Sequence, residues 1–258
     1  MNHWAAFSPP VSLTPEQVRT HWPRLHGGDA EPLPDSDDLL QVWTLYHRGD
    51  FESAYHSGLA LSQRQEPAGL TVAVRALSIY ATYLEPRSVQ REQLLEQAQA
   101  LADQHTAAHP DNPNAWYLLA YSLGRHAQSL SVAKSLARGL GQRTREALDR
   151  TLRLNPRHAD AHLALATFNA EVIDKVGEVV GAVTYGTSKS SALALYDRAA
   201  ELNPGSLVGM LETARGLMML DPQHHQARAE RLYQQLRMAS TLDALEALVV
   251  GLANATDD

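Results

Sequence analysis

The chain comprises 258 residues, of which 44% are hydrophobic, 20% charged and 6% aromatic, a globular composition that excludes disorder as the main state and allows one large domain or two small ones. The absence of Cys removes disulfide frameworks, thiolate metal sites and cysteine nucleophiles together. Lys and Arg total 22 against 29 Asp and Glu, a formal net charge of −7, which speaks against general affinity for DNA, RNA or anionic lipid.

The N-terminal residues carry neither a basic leader nor the apolar stretch of a signal peptide, and no window approaches the roughly 18 to 20 apolar residues of a membrane span. The expectation is a cytoplasmic protein without membrane insertion. From Pro9 to Asp38 lie six prolines and the Gly27-Gly28 pair, a density that breaks regular structure. One short helix fits there: Thr14 can cap it, Pro15 suits its first position and Gln17 completes a capping box, so it runs from Thr14 to about Trp22. Residues 1–36 therefore read as a Pro-rich arm with apolar anchors at Trp4, Phe7 and Trp22, either packed on its own domain or docked on a partner.

Residues 37–258 read as helix after helix, with apolar residues at three- and four-residue spacing and breakers between. An early unit runs from Leu39 through Trp43 and Tyr46 to a turn at Gly49-Asp50-Phe51. A divergent pair follows over Leu70 to Leu84 and Ser88 to Ala108. Three later stretches share a pattern in which Pro110, Pro156 and Pro204 each stand six residues before Trp116, His162 and Met210. Before the last two come Ala147, Leu148, Leu152 and Leu154, then Ala192, Tyr196, Ala199 and Leu202. Small residues such as Ala120, Ala166, Ala199 and Ala214 let paired helices approach, while Trp116, Leu119, Leu165, Phe168 and Tyr196 fill the space between them. The stretches Gln226 to Met238 and Leu242 to Leu252 can cover the open end of such a stack.

This pattern resembles the tetratricopeptide repeat, which implies an all-α solenoid of antiparallel helix pairs. The spacing is longer than usual: Trp116 to His162 is 46 residues and His162 to Met210 is 48, against about 34 in the ordinary repeat. The additional residues fall in Gln128 to Gln142 and Ile173 to Ser188, and are apolar enough to extend the first helix of each central pair. Over Asp111 to Gln235 the elongated repeats, including Gly177-Glu178-Val179-Val180-Gly181, are similar to two groups. These are the T-component proteins associated with TRAP transporters and the regulator-of-microtubule-dynamics proteins.

Motifs for chemistry fall short. Gly181 to Ser190 approximates a phosphate-binding loop, but Thr187 stands where Lys is required and no strand precedes it. His109-Pro110-Asp111 occupies an inter-repeat turn, without the basic helix a J-domain places before that tripeptide. The pairs His105/His109 and His158/His162 have i,i+4 spacing without the Glu of a zinc hydrolase motif. The chain is therefore expected to be no enzyme and to hold no metal or cofactor.

Two surfaces remain. Between Arg125 and Arg157 eight basic residues face two acidic ones, a basic patch built on Arg138, Arg143, Arg145, Arg150 and Arg153 that either receives carboxylates or is neutralised by neighbouring helices. Throughout the chain the basic residues are Arg except Lys134, Lys175 and Lys189. In tetratricopeptide domains the inner surface of the first helices binds an extended peptide. By resemblance this puts Tyr117, Tyr121, Arg125, Leu163, Thr167, Leu211 and Arg215 in a groove, with Asn114, Asp160 and Val208 at further inward positions. The functional expectation is an adaptor that binds a protein or peptide there, a second copy of the chain included. The alternative is a transport-associated carrier of an apolar or carboxylate-bearing small molecule.

Overall fold

The computed structural model describes residues 4–5, 7–10, 12–64 and 66–255. Helix α1 (Pro15–Leu25) starts where the Thr14 hydroxyl accepts from the Gln17 amide and the Gln17 side chain accepts from the Thr14 amide. This capping box satisfies amides that have no partner within the helix. Helix α2 (Asp37–His47) is capped by Ser36 and α3 (Phe51–Gln63) by Asp50. There follow α4 (Gly69–Tyr83), α5 (Ser88–Ala108), α6 (Pro113–Ser129), α7 (Val132–Ala137) and α8 (Leu140–Leu154). The C-terminal half holds α9 (Ala159–Val176), α10 (Glu178–Tyr185), α11 (Lys189–Leu202), α12 (Leu207–Leu220), α13 (Pro222–Arg237) and α14 (Ala244–Asn254). No strand occurs among the described residues.

The helices pack in successive pairs, α2 on α3, α4 on α5, α6 on α8, α9 on α11 and α12 on α13, and contacts of α3 with α4, α5 with α6 and α9 with α12 join the pairs. The expected all-α, solenoid-like architecture is the one observed. Its core runs along the stack as successive apolar clusters. Trp22, Trp43, Tyr46, Leu77 and Leu95 are buried at the N-terminal end, Leu123 and Leu148 in the middle, and Leu211, Leu217 and Leu236 towards the C-terminus. Burying each such side chain contributes about 1.5–3 kcal/mol before the entropy of ordering it is subtracted.

The two long insertions depart from the expected helix extension. Helix α6 stops at Ser129 because Leu130 takes an extended backbone, and Ser131 then caps α7. Helix α9 stops at Val176 because Gly177 has φ +84° and ψ 157°, a conformation open essentially to glycine alone. Each insertion thus folds partly as a separate short helix, α7 packed on α8 and α10 packed on α9. The outer side of α10 leaves Val179 and Val183 exposed.

Helix α14 closes the stack. It lies against α12 and α13 and also reaches back to α2. At the seam Arg24 pairs with Glu246 at 3.0 Å, and His47 donates from Nδ1 to the Asp243 carboxylate at 2.8 Å. No helix among the described residues is long and apolar enough to cross a membrane.

Candidate functional site

The concave side of the stack is partly filled by the chain itself. After α1, residues 26–34 run into the groove, anchored by the indole of Trp22, which donates to the Glu31 carbonyl at 2.8 Å and stacks on His26 with ring centroids 4.0 Å apart. Gly28 passes so close to α9 that its carbonyl accepts from the Asp160 amide at 3.0 Å, and an added Cβ at Gly28 would lie 2.0 Å from the Asp160 carboxylate. The groove therefore holds a turn and loop of its own polypeptide.

A buried polar network fixes that segment. Arg75, on the mostly apolar α4, pairs with Asp29, and its other amino group lies 3.7 Å from Asp160. The guanidinium sits 6.0 Å and 5.9 Å from the ring centres of Trp43 and Tyr46, so aromatic faces share the work of holding a buried cation. Burial pushes the Asp29 carboxyl up, but Arg75 and His26 more than reverse this and hold it well below the usual carboxylate range. The Glu31 carboxylate accepts from the Asn114 amide, whose oxygen in turn accepts from His158 Nε2 at 2.8 Å. The other ring nitrogen of His158 accepts from the Ala161 amide at 3.1 Å, which makes this histidine the neutral cap of α9. Burial accordingly lowers His158 and His26 to about 4, while burial and the nearby Asp29 raise Glu31 to about 7.

Beside the segment lies a cavity of about 200 Å³, walled by Tyr83, Tyr117, Tyr121, Asp160, Val208 and Leu245 among others, with Arg24 and Glu246 at its edge. A smaller cavity of about 70 Å³ continues from it, sharing Tyr117, Tyr121, Asp160 and Val208 and reaching Arg125, Leu163, Thr167 and Glu212. Arg125 is committed to Glu212 at 2.8 Å and stacks over Tyr121 at 5.0 Å. Burial works to raise Glu212, but Arg125 outweighs it, with Arg215 adding to the effect, and the carboxyl stays below its ordinary value.

The structure thus brings Tyr117, Tyr121, Arg125, Leu163 and Thr167 together on the two cavities, while Arg215 lies near Glu212 and outside both linings. It does not bring Leu211 there. Leu211 is fully buried in a cluster with Leu207, Leu236 and Val249, because the groove face of α12 follows Val208 and Glu212, one turn apart, and the neighbouring face is covered by α13 and α14. Sequence reasoning missed Asp29, Glu31, Arg75 and Tyr83. The one available signal was Arg75 itself, a lone charge inside the apolar run from Leu70 to Leu84.

The basic patch is largely paired. Arg138 bridges to Glu92 and Glu96 at 3.0 Å each, Arg143 to Asp103, Arg145 to Asp149 and Arg150 to Asp111, while Arg153 is exposed. Three of these four arginines therefore lie along the acidic edge of α5 and the turn after it. Neither spaced histidine pair gathers further ligands: His105 contacts Thr71 at 3.1 Å, and His162 hydrogen-bonds the Pro156 carbonyl. Among the described residues, one group of ligand-type side chains converges, Glu92, Glu96 and His126. The Arg138 guanidinium already stands between them, 3.0 Å from His126 Nε2.

The family described as Regulator of microtubule dynamics protein 1-3 matches the chain over residues 39–244. No curated protein matches it.

Proposed function

The chain belongs to the Regulator of microtubule dynamics protein 1-3 family, and on that premise we propose that it is a non-enzymatic adaptor of the tetratricopeptide type, recognising a protein partner along its concave face. One observation carries this reading. The groove already holds a segment of the chain itself, the turn and loop of residues 26–34, through a backbone hydrogen bond to Asp160 and side-chain bonds from Trp22, Asn114 and Arg75. A segment lying in a groove and held by a few backbone and side-chain contacts is the kind of occupant such solenoids recognise in a partner. The cavity beside the segment is the part left for a partner residue. The family description agrees with a regulatory rather than a catalytic role, and no constellation on the concave face names a reaction.

A photo-crosslinking amino acid placed at Tyr121 or Val208 tests the proposal against the same group at Arg153 on the basic surface. Adducts from Tyr121 and Val208 and none from Arg153 are the expected result. Adducts from Arg153 alone would move the partner to the basic surface and end the groove reading. A second reading, a carrier of a small molecule, draws on the partial enclosure of the cavity by the Arg24–Glu246 pair. It requires a co-purifying ligand that leaves when Val208→Trp fills the space.

A further inference from the structure

The concave network has more carboxylates than cations, and two of its carboxylates, Glu31 and Asp160, are left without a cation of their own. Asp29 is taken by Arg75 and His26, Glu31 by Asn114, Asp243 by His47, and Glu246 by Arg24. Asp160 alone among these five has no hydrogen bond to its carboxylate among the described residues, and the nearest cation, Arg75 at 3.7 Å, is already committed to Asp29. Its side chain is 19% exposed and forms part of the cavity wall. Burial, reinforced by Asp29, raises this carboxyl to about 7, and Arg75, shared with Asp29, offsets that only in part, the behaviour of a buried acid without a cation of its own.

The cavity supplies the remaining features of a cation site. Tyr83, Tyr117 and Tyr121 form its aromatic wall, and aromatic faces attract cations through the ring quadrupole. The structure shows the same rings doing so with an internal residue: the Arg125 guanidinium lies 5.0 Å from the centre of Tyr121 and 6.0 Å from that of Tyr83. The lining carries three carboxylates, Asp160, Asp243 and Glu246, against two cations, Arg24 and Arg75, and those two are paired with Glu246 and Asp29. The volume of about 200 Å³ suits a single side chain, since a cavity of about 150 Å³ accepts benzene.

We propose that the concave cavity receives the cationic end of a basic side chain, an alkylammonium or guanidinium, which pairs with Asp160 between the rings of Tyr83, Tyr117 and Tyr121. This rests on the adaptor reading and names the chemistry by which the partner is recognised. The incoming charge gives Asp160 a cation that it does not share with Asp29, so the carboxylate ionises on binding.

Calorimetric titration of the full chain with n-butylammonium, methylguanidinium, the neutral 1-pentanol and the blocked peptide acetyl-Ala-Arg-Ala-amide tests the proposal. The two cations and the peptide are expected to bind, the peptide more tightly, and pentanol is not. Asp160→Asn should weaken cation binding by at least about tenfold, as for loss of a charge-assisted pair. Val208→Trp, which keeps Asp160 and fills the cavity, should abolish it, and this variant decides the matter if Asp160→Asn does not fold. Pentanol binding as well as the cations, or an unchanged affinity in folded Asp160→Asn, would overturn the proposal. Free amines binding while the peptide does not would overturn the assignment to a partner side chain. Crosslinking from Tyr121 and Val208 without any cation binding removes this inference and leaves the adaptor reading standing.

Discussion

His47 at the end of α2 and Asp243 at the cap of α14 are 196 residues apart in sequence, and His47 Nδ1 donates to the Asp243 carboxylate across 2.8 Å. Both side chains are buried, and Asp243 also accepts from the Glu246 amide to start α14. Removing it leaves the His47 donor without its acceptor and α14 without its cap. Asp243→Ala is therefore expected to cost about 3–5 kcal/mol, as for breaking a buried pair, whereas Arg24→Ala at the exposed pair beside it should cost no more than about 1 kcal/mol. Urea denaturation of the two variants gives the comparison, and equal costs would show that the buried contact is not the principal clasp.

The raised carboxyl of Asp160 sets a sign for pH dependence. Its ordinary value of 3.8 rises to about 7 in the fold, so between those values the folded state binds more protons than the unfolded state, and stability is lost as pH climbs through the interval. His26 and His158 act oppositely. Lowered from 6.5 to about 4, they add stability as pH rises over that range. Glu31, raised from 4.5 to about 7, loses stability in the same direction as Asp160; Asp160→Asn removes the Asp160 share alone, so its melting temperature relative to the parent should increase from pH 5 to pH 8. About two of the roughly three units fall inside that window, so the limit there is about 3 kcal/mol at 1.36 kcal/mol per unit. Melts at unit pH intervals that show a constant difference would contradict the raised carboxyl of Asp160.

On α12, Gly216 sits beneath the hydroxyl of Tyr196 from α11. A Cβ at Gly216 would lie 1.8 Å from that oxygen, and Tyr196 is fully buried and donates to Thr167. Gly216→Ala should destabilise by about 1–3 kcal/mol through overpacking, despite the better helix propensity of alanine. Combining it with Tyr196→Phe, which deletes the obstructing oxygen, should recover much of that loss. A double-mutant cycle measures the coupling.

The three lysines of the chain all fall in or beside the insertions, Lys134 on α7, Lys175 at the end of α9 and Lys189 at the start of α11. A lysine-specific protease therefore reports on these segments alone. Since α7 packs on α8 and buries none of its residues, cleavage after Lys134 should come first, at a rate set by local opening rather than global unfolding. Simultaneous cleavage at all three sites would show that the insertions open only with the whole fold.

Much of the architecture was legible because its signals are local. Thr14 with Gln17 marks a helix start, and Gly49-Asp50-Phe51 a turn between helices, by chemistry confined to a few residues. The insertions misled because apolar content was read as continuity, while helix α9 is stopped by the backbone of Gly177 alone. Tyr117 and Tyr121, which motif alignment put on the inner surface, line the cavity. Leu211 was misplaced by the same alignment, since the face it presents depends on α13 and α14, and no local pattern records their positions. The buried network of Asp29, Glu31 and Arg75 was invisible for a related reason: acidic residues in a Pro- and Gly-rich stretch ordinarily face water, and only the tertiary fold brings Arg75, Asn114 and His158 to meet them.

The meeting of α14 with α2 changes how the whole array responds to stress. An open row of repeats behaves as a one-dimensional chain, in which an end unit has a single neighbour and frays first. Joining the last helix to the first pair gives the terminal units a second neighbour, and the row becomes a circuit. No unit can then leave at the cost of one interface, so the stack resists peeling from either end and opens where its links are weakest.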